Sequence, residues 1–138
     1  MKKAVIGSLL ILLYVNLVPF ISRLWKGLDW VMQYIPEKEN FFLGSILFGL
    51  AASVAAVPLI LAFLVKKHIP VTFKLSILVF TLLLAYWHHN YDLASDPQAA
   101  IGLLFIPIYV TFAGTFFAAI SAFIEFNYRK NKLQTVQG

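Results

Sequence analysis

Apolar residues fall along this chain in four long runs, Ala4–Ser22, Phe41–Val65, Val71–Tyr91 and Ala99–Phe126, divided by short polar or charged stretches. A helix of about 20 apolar residues crosses a hydrocarbon core of about 30 Å, and runs this long favour helix over strand. The first, second and fourth runs meet that length. The third is free of lysine and histidine only over Leu75–Trp87. It spans only if Lys74 snorkels at one end and the His88-His89 pair sits in the interface at the other. The pattern predicts an all-α integral membrane protein, a small bundle of four transmembrane helices. A single membrane domain over residues 1–138 has spans at approximately 4–22, 41–65, 71–91 and 99–126.

Between the first two runs the periodicity changes. Leu24, Leu28, Val31, Met32 and Ile35 recur at helical spacing, while Arg23, Lys26, Asp29 and Gln33 fill much of the remainder. With Trp25 and Trp30 this reads as a short amphipathic helix lying on the outer membrane surface and ended by Pro36. The competing reading is a first span that continues past Pro19. Asp96-Pro97 is a start signal for the fourth span, with Asp as N-cap and Pro at the first helical position. Asn131–Gly138 reads as a short frayed tail. The first run has a basic start at Lys2-Lys3 but no A-x-A-like site near Ser22, so it is expected to stay as an uncleaved span.

Composition agrees with lipid as the main solvent. The chain is 61% apolar and 12% charged, whereas soluble domains are about 45–50% apolar and about 25% charged. A soluble chain of this size has too little interior to hide so much apolar surface. The balance excludes an ordinary soluble enzyme and a disordered tail. With no cysteine there is no disulfide framework, thiolate metal site or thiol redox chemistry.

Charge adds a direction. The net +5 comes from bases clustered beside the apolar runs, a placement that sets membrane topology rather than one that binds nucleic acid. With a cytoplasmic N-terminus, Lys2, Lys3, Lys66, Lys67, Lys74, Arg129, Lys130 and Lys132 lie inside, and only Arg23, Lys26 and Lys38 lie outside. The expected location is the plasma (inner) membrane with both termini cytoplasmic. Trp25, Trp30 and Trp87 then form an outer aromatic belt with Tyr34, Tyr86 and Tyr91.

Packing signals are small residues four apart: Ser45, Gly49 and Ser53 in the second span, and Gly114, Ala118 and Ala122 in the fourth. Without a hydrophobic drive between helices in lipid, close approach over such faces supplies much of the packing. Spans two and four are therefore expected to form the tight pair, with span three at the periphery. Pro58 and Pro107 are expected to kink their helices, freeing the carbonyls of Val54 and Leu103. Asn16, the most polar side chain at depth, is expected to bond a neighbouring helix.

Chemistry is sparse. No residue that ionises near neutral pH lies at mid-depth in any run, although such residues mark most proton-coupled and intramembrane catalytic sites. Size and four-span plan resemble the small multidrug-resistance transporters. Their proton coupling implies a glutamate within the first span, which Ala4–Ser22 lacks, so the chain is not assigned to them. The one concentration of capable groups is His88, His89, Asp92 and Asp96, with Asp29, Glu37 and Glu39 across the outer face. His88 and Asp92 share a helix face and make a weak Zn²⁺ or pH-sensitive candidate. The expectation remains polar end-markers, with no catalytic residue, no cofactor and no metal. Glu125 and Arg129 form an i,i+4 pair. The function expected is a non-enzymatic accessory, assembly or immunity-type component acting through helix–helix contacts. Its partners are the bilayer and another membrane protein or itself. An oligomeric small channel or transporter is the alternative, and a membrane enzyme using the outer His/Asp cluster the second.

Overall fold

The computed structural model describes residues 2–35, 41–94 and 99–137, and among these it is helical with no strand. The helices are α1 (Lys2–Leu24), α2 (Leu28–Met32), α3 (Phe41–Val54), α4 (Ala56–Val65), α5 (Pro70–Asn90) and α6 (Ala99–Gln137). Three of them, α1, α5 and α6, are long and apolar enough to cross a membrane, and a fourth crossing arises if the bent pair α3–α4 is one span. The charged residues Lys38, Glu37, Glu39 and Asp96, together with Pro36 and the Asp96-Pro97 cap, lie outside the described residues.

The break in the second run has a local cause. Pro58 supplies no N–H to the carbonyl of Val54 and its ring crowds that turn. The chain responds at Ala55, whose N–H bonds the carbonyl of Ala52 at 3.2 Å in a tightened turn. There α3 and α4 meet at 45°. The bend lets one apolar segment serve two neighbours, because α3 leans mainly on α6 and α4 mainly on α1. Pro19 and Pro107, by contrast, lie inside helices that continue through them.

The centre of the structure is α5, which packs most closely against α6 and α1. Its buried residues are Thr72, Ser76, Phe80, Leu84 and His88, each four after the last, a single stripe along the helix. Phe80 and Leu84 join Val15, Val18, Ala55, Ala56, Leu59, Ile106 and Val110 in the core. This corrects the expectation of a peripheral third span and a core pair formed by the second and fourth. Gly114 faces α5, not α3: a Cβ built there would lie 2.3 Å from the Phe80 ring. On the second span, Gly49 faces Asn16 of α1. Asn16 Nδ2 donates to the hydroxyl of Ser53 at 3.3 Å, the interhelical bond the sequence leads one to expect.

Side-chain pairings fix which ends lie together. Gly7 of α1 meets Phe63 of α4, the Phe63 ring lies 5.8 Å from that of Phe73 on α5, and Thr72 of α5 meets Glu125 of α6. The start of α1 and the last turns of α6 are therefore at one end, with the cluster Lys66-Lys67. Arg23, Tyr34 and His88 gather at the other. Two local expectations change. The first helix runs past Pro19 to Leu24, and the surface segment shrinks to the five residues of α2, set off by Gly27 at φ 117°. The tail is helix as far as Gln137, since no Gly or Pro between Asn127 and Gln137 stops α6.

Candidate functional site

The largest fully buried side chain is Arg23, the penultimate residue of α1. Pro19, Ser22 and Arg23 continue the inward face that Val15 and Val18 begin, so the helix carries the guanidinium toward the end of α5 rather than into solvent. Gly27 then reverses the chain with a backbone conformation that side-chain-bearing residues rarely adopt. The reversal brings α2 and the turn after it back over Arg23.

Each arm of the guanidinium meets an acceptor. Nε–H donates to the carbonyl of Trp30 at 2.6 Å, and Nη1 donates to the carbonyls of His88, at 3.1 Å, and Tyr91. Nη2 donates to Gln33 Oε1, which also accepts the N–H of Leu93 at 3.3 Å. The Tyr34 ring stacks beneath at 4.0 Å, and the Trp30 ring lies 4.9 Å away. These acceptors are neutral oxygens and aromatic faces, the combination a planar cation uses when it is taken out of water. His88 belongs to the last turn of α5 and Tyr91 is its C-cap residue. Their carbonyls are among those a helix end leaves without partners, at the negative end of the helix dipole. Arg23 is thus a cap supplied by a neighbouring helix.

Around the cap lies an aromatic box. Tyr34 packs edge-on with Phe20 and His88 and tilted against Phe48, with ring centroids 5.3–6.1 Å apart. Tyr34 Oη and His88 Nδ1 share a hydrogen bond of 2.8 Å. Burial pushes the Tyr34 phenol up to about 12, against the opposing pull of the Arg23 guanidinium. It therefore stays neutral at ordinary pH and suits a structural hydrogen bond better than proton transfer. His88 Nε2 is buried and has no hydrogen-bond partner among the described residues.

The residues singled out in the sequence are distributed as follows. His88 is buried in the box, whereas the half-buried His89 places Nδ1 3.0 Å from the carbonyl of Ser22. Asp92 Oδ1 accepts the N–H of Ala94 in the following turn, and Asp96 is outside the described residues. Among the described residues no three of His, Asp and Glu converge as a metal ion requires. Gly114 is buried and Ala118 and Ala122 are half-buried on α6, while Ser53 donates to the carbonyl of Gly49 at 2.6 Å on α3. The side chain of Ser45 is outside the described residues.

Arg23, Gln33 and Tyr34 do not stand out in the sequence as a unit. Arg23 reads there as part of a polar face, and its burial depends on the chain reversal at Gly27. The available signal is a lone arginine at the end of an apolar run with Trp25, Trp30 and Tyr34 close behind, a composition suited to stacking on a cation. A second capping site was also missed. Glu125 is read as the partner of Arg129, and that pair is present at 2.9 Å. The same carboxylate accepts the N–H groups of Thr72, at 2.7 Å, and Val71, at 3.3 Å, in the first turn of α5.

No protein-family model matches the chain, and the searches of curated proteins and of solved structures likewise found no match.

Proposed function

We propose that this chain is a small four-span protein of the plasma membrane, with both termini cytoplasmic, that works as a non-enzymatic accessory, assembly or immunity-type component through helix–helix contacts. In this reading α3 and α4 together make one bent span, and the end bearing Lys2, Lys3, Lys66, Lys67, Arg129 and Lys130 is cytoplasmic by the bias of basic residues. The buried polar centre favours a structural role, since the donors of Arg23 are spent on carbonyls and an amide.

One observation carries the reading. The outward side of α6 bears Phe105, Tyr109, Phe112, Phe116, Ala119 and Phe123, all exposed, at alternating intervals of four and three. Phe112, Phe116 and Phe123 are 70–74% exposed. A repeat of 3.5 residues is the seam along which one helix follows another, and Ala119 leaves a notch among the rings. The expected partner is a transmembrane helix of another membrane protein or of a second copy.

Affinity purification from native membranes in mild detergent tests this. The wild type is expected to bring down a stoichiometric membrane partner or itself, and Phe112→Ala with Phe116→Ala to lose it while keeping the helical content. Recovery of a lone monomer from native membranes would overturn the reading, as would undiminished capture by the double variant.

A further inference from the structure

At the end opposite Arg23, the turn between α4 and α5 and the later turns of α6 border an open cavity of about 320 Å³ lined by Lys67, His68, Phe126, Arg129 and Lys130. We infer that this cavity is a binding site for the phosphate headgroup of an anionic phospholipid. The inference rests on the membrane reading above and adds a ligand to it.

The charge pattern comes first. Lys67, Arg129 and Lys130 bring three basic side chains to one hollow from two separate elements. The acid beside them is committed elsewhere. Glu125 Oε2 accepts the N–H of Thr72, and Oε1 accepts from Val71 and from both Nε and Nη2 of Arg129. Glu125 offsets one of the three cations and turns its remaining acceptor capacity toward the start of α5. Lys67 and Lys130 are exposed, so the hollow keeps a net positive charge for a ligand to meet.

Depth selects the lipid. The apolar run of α4 ends at Val65, immediately before Lys66-Lys67, and that of α6 ends at Phe126, immediately before the turn holding Arg129 and Lys130. Both borders reach the same cavity, which places it where hydrocarbon gives way to headgroups. Phe126, 63% exposed, is an apolar wall beside the cations. Lys66 lies over the Phe63 ring at 3.8 Å and continues that mixed surface of cation and aromatic. A soluble phosphate has no use for the aromatic wall. A phospholipid uses both parts, with its phosphate on the bases and the first carbons of its chains against Phe126.

The test uses the full chain in nanodiscs of phosphatidylcholine doped with a minor fraction of spin-labelled phosphatidylglycerol or spin-labelled phosphatidylcholine. Stable incorporation checks the membrane reading by itself. Wild-type protein should immobilise the anionic probe in preference to the zwitterionic one. Lys67→Gln with Lys130→Gln should weaken that preference about fivefold per lysine removed. Lys2→Gln with Lys3→Gln, which removes the same charge from the same end but outside the cavity, should weaken it clearly less, by general surface attraction alone. Equal immobilisation of both probes by wild type would overturn the site. So would equal losses in the two double variants, which would reduce the effect to general surface charge. Displacement of the probe by free glycerol phosphate as readily as by phosphatidylglycerol would overturn the lipid assignment in favour of a soluble phosphate.

Discussion

Arg23 and Glu125 cap opposite ends of the same helix, and neither belongs to it. Arg23 of α1 donates to the carbonyls of His88 and Tyr91 at the carboxyl end of α5, and Glu125 of α6 accepts the N–H groups of Val71 and Thr72 at its amino end. Each charge has the sign that the helix dipole favours at its end. The N-cap residue, Ile69, makes no side-chain capping bond of its own, so the neighbouring helices supply what α5 lacks. Since α5 is also the helix on which α1 and α6 pack, the two caps hold the three long helices in register.

Arg23→Met should destabilise the protein by about 3 kcal/mol or more, because hydrogen bonds from a charged donor are lost and their buried acceptors are left without partners. Arg23→Lys keeps the charge but loses the planar fork that reaches Trp30, Gln33, His88 and Tyr91 separately, so it should recover only part of that loss. Thermal unfolding in detergent followed by circular dichroism ranks the three proteins. Equal stability of the Lys variant and the wild type would show that charge alone holds this end.

Glu125→Ala should cost about 1 kcal/mol, the usual scale for a lost N-terminal cap. The signature is local. Amide hydrogen exchange should accelerate at Val71 and Thr72 before it changes at Phe80 or Leu84. Arg129→Ala, which leaves both capping bonds in place, should show much less of this, as befits an ion pair whose arginine side chain is 46% exposed.

Three of the four hydrophobic runs correspond closely to long helices, because run length is a local property, whereas the second is broken at Ala55 into α3 and α4. Which helix lies inside was not legible, and the reason is physical. Lys74 and the histidine pair made Val71–Tyr91 the weakest of the four runs. In a membrane, polar side chains turn away from lipid, and Thr72, Ser76 and His88 fall at multiples of four on the one buried stripe, while Lys74 stays exposed. Small residues permit close approach, but composition does not say what fills the space beside them. Gly114 receives a phenylalanine from α5 rather than a small face of α3. Arg23 needed the reversal at Gly27, and the cap by Glu125 needed residues more than 50 positions apart, neither of which a periodicity contains.

Alkaline pH should loosen the Arg23 end. The Tyr34 phenol is held up to about 12, above its ordinary value of 10.0, chiefly by burial. Between those values the unfolded chain releases a proton that the folded chain retains. Stability from this group is therefore whole below pH 10 and falls as pH rises toward 12. Tyr34→Phe removes the titration and should flatten that part of the stability profile, at the expense of the hydrogen bond to His88 at neutral pH. Parallel wild-type and variant profiles across this window would show that Tyr34 is not a source of alkaline instability.

Gly114 and Phe80 form a core contact that a single added carbon would disturb. A Cβ at position 114 would lie 2.3–2.7 Å from three atoms of the Phe80 ring, well inside van der Waals contact. The ring is fully buried in the core and has little room to swing aside. Gly114→Ala would ordinarily stabilise a helix through propensity. Here it should destabilise by about 1–3 kcal/mol, the scale of overpacking in a filled core. The cause is a specific overlap, so shortening the partner should relieve it. Phe80→Leu alone should also destabilise, but the double variant should be more stable than the sum of the two losses predicts, with a coupling of about 1 kcal/mol or more. Additive losses would show that α5 and α6 do not approach through this pair. Gly49→Ala serves as the control, because its nearest neighbour, Asn16 Oδ1, is 3.8 Å from the added carbon and leaves it room.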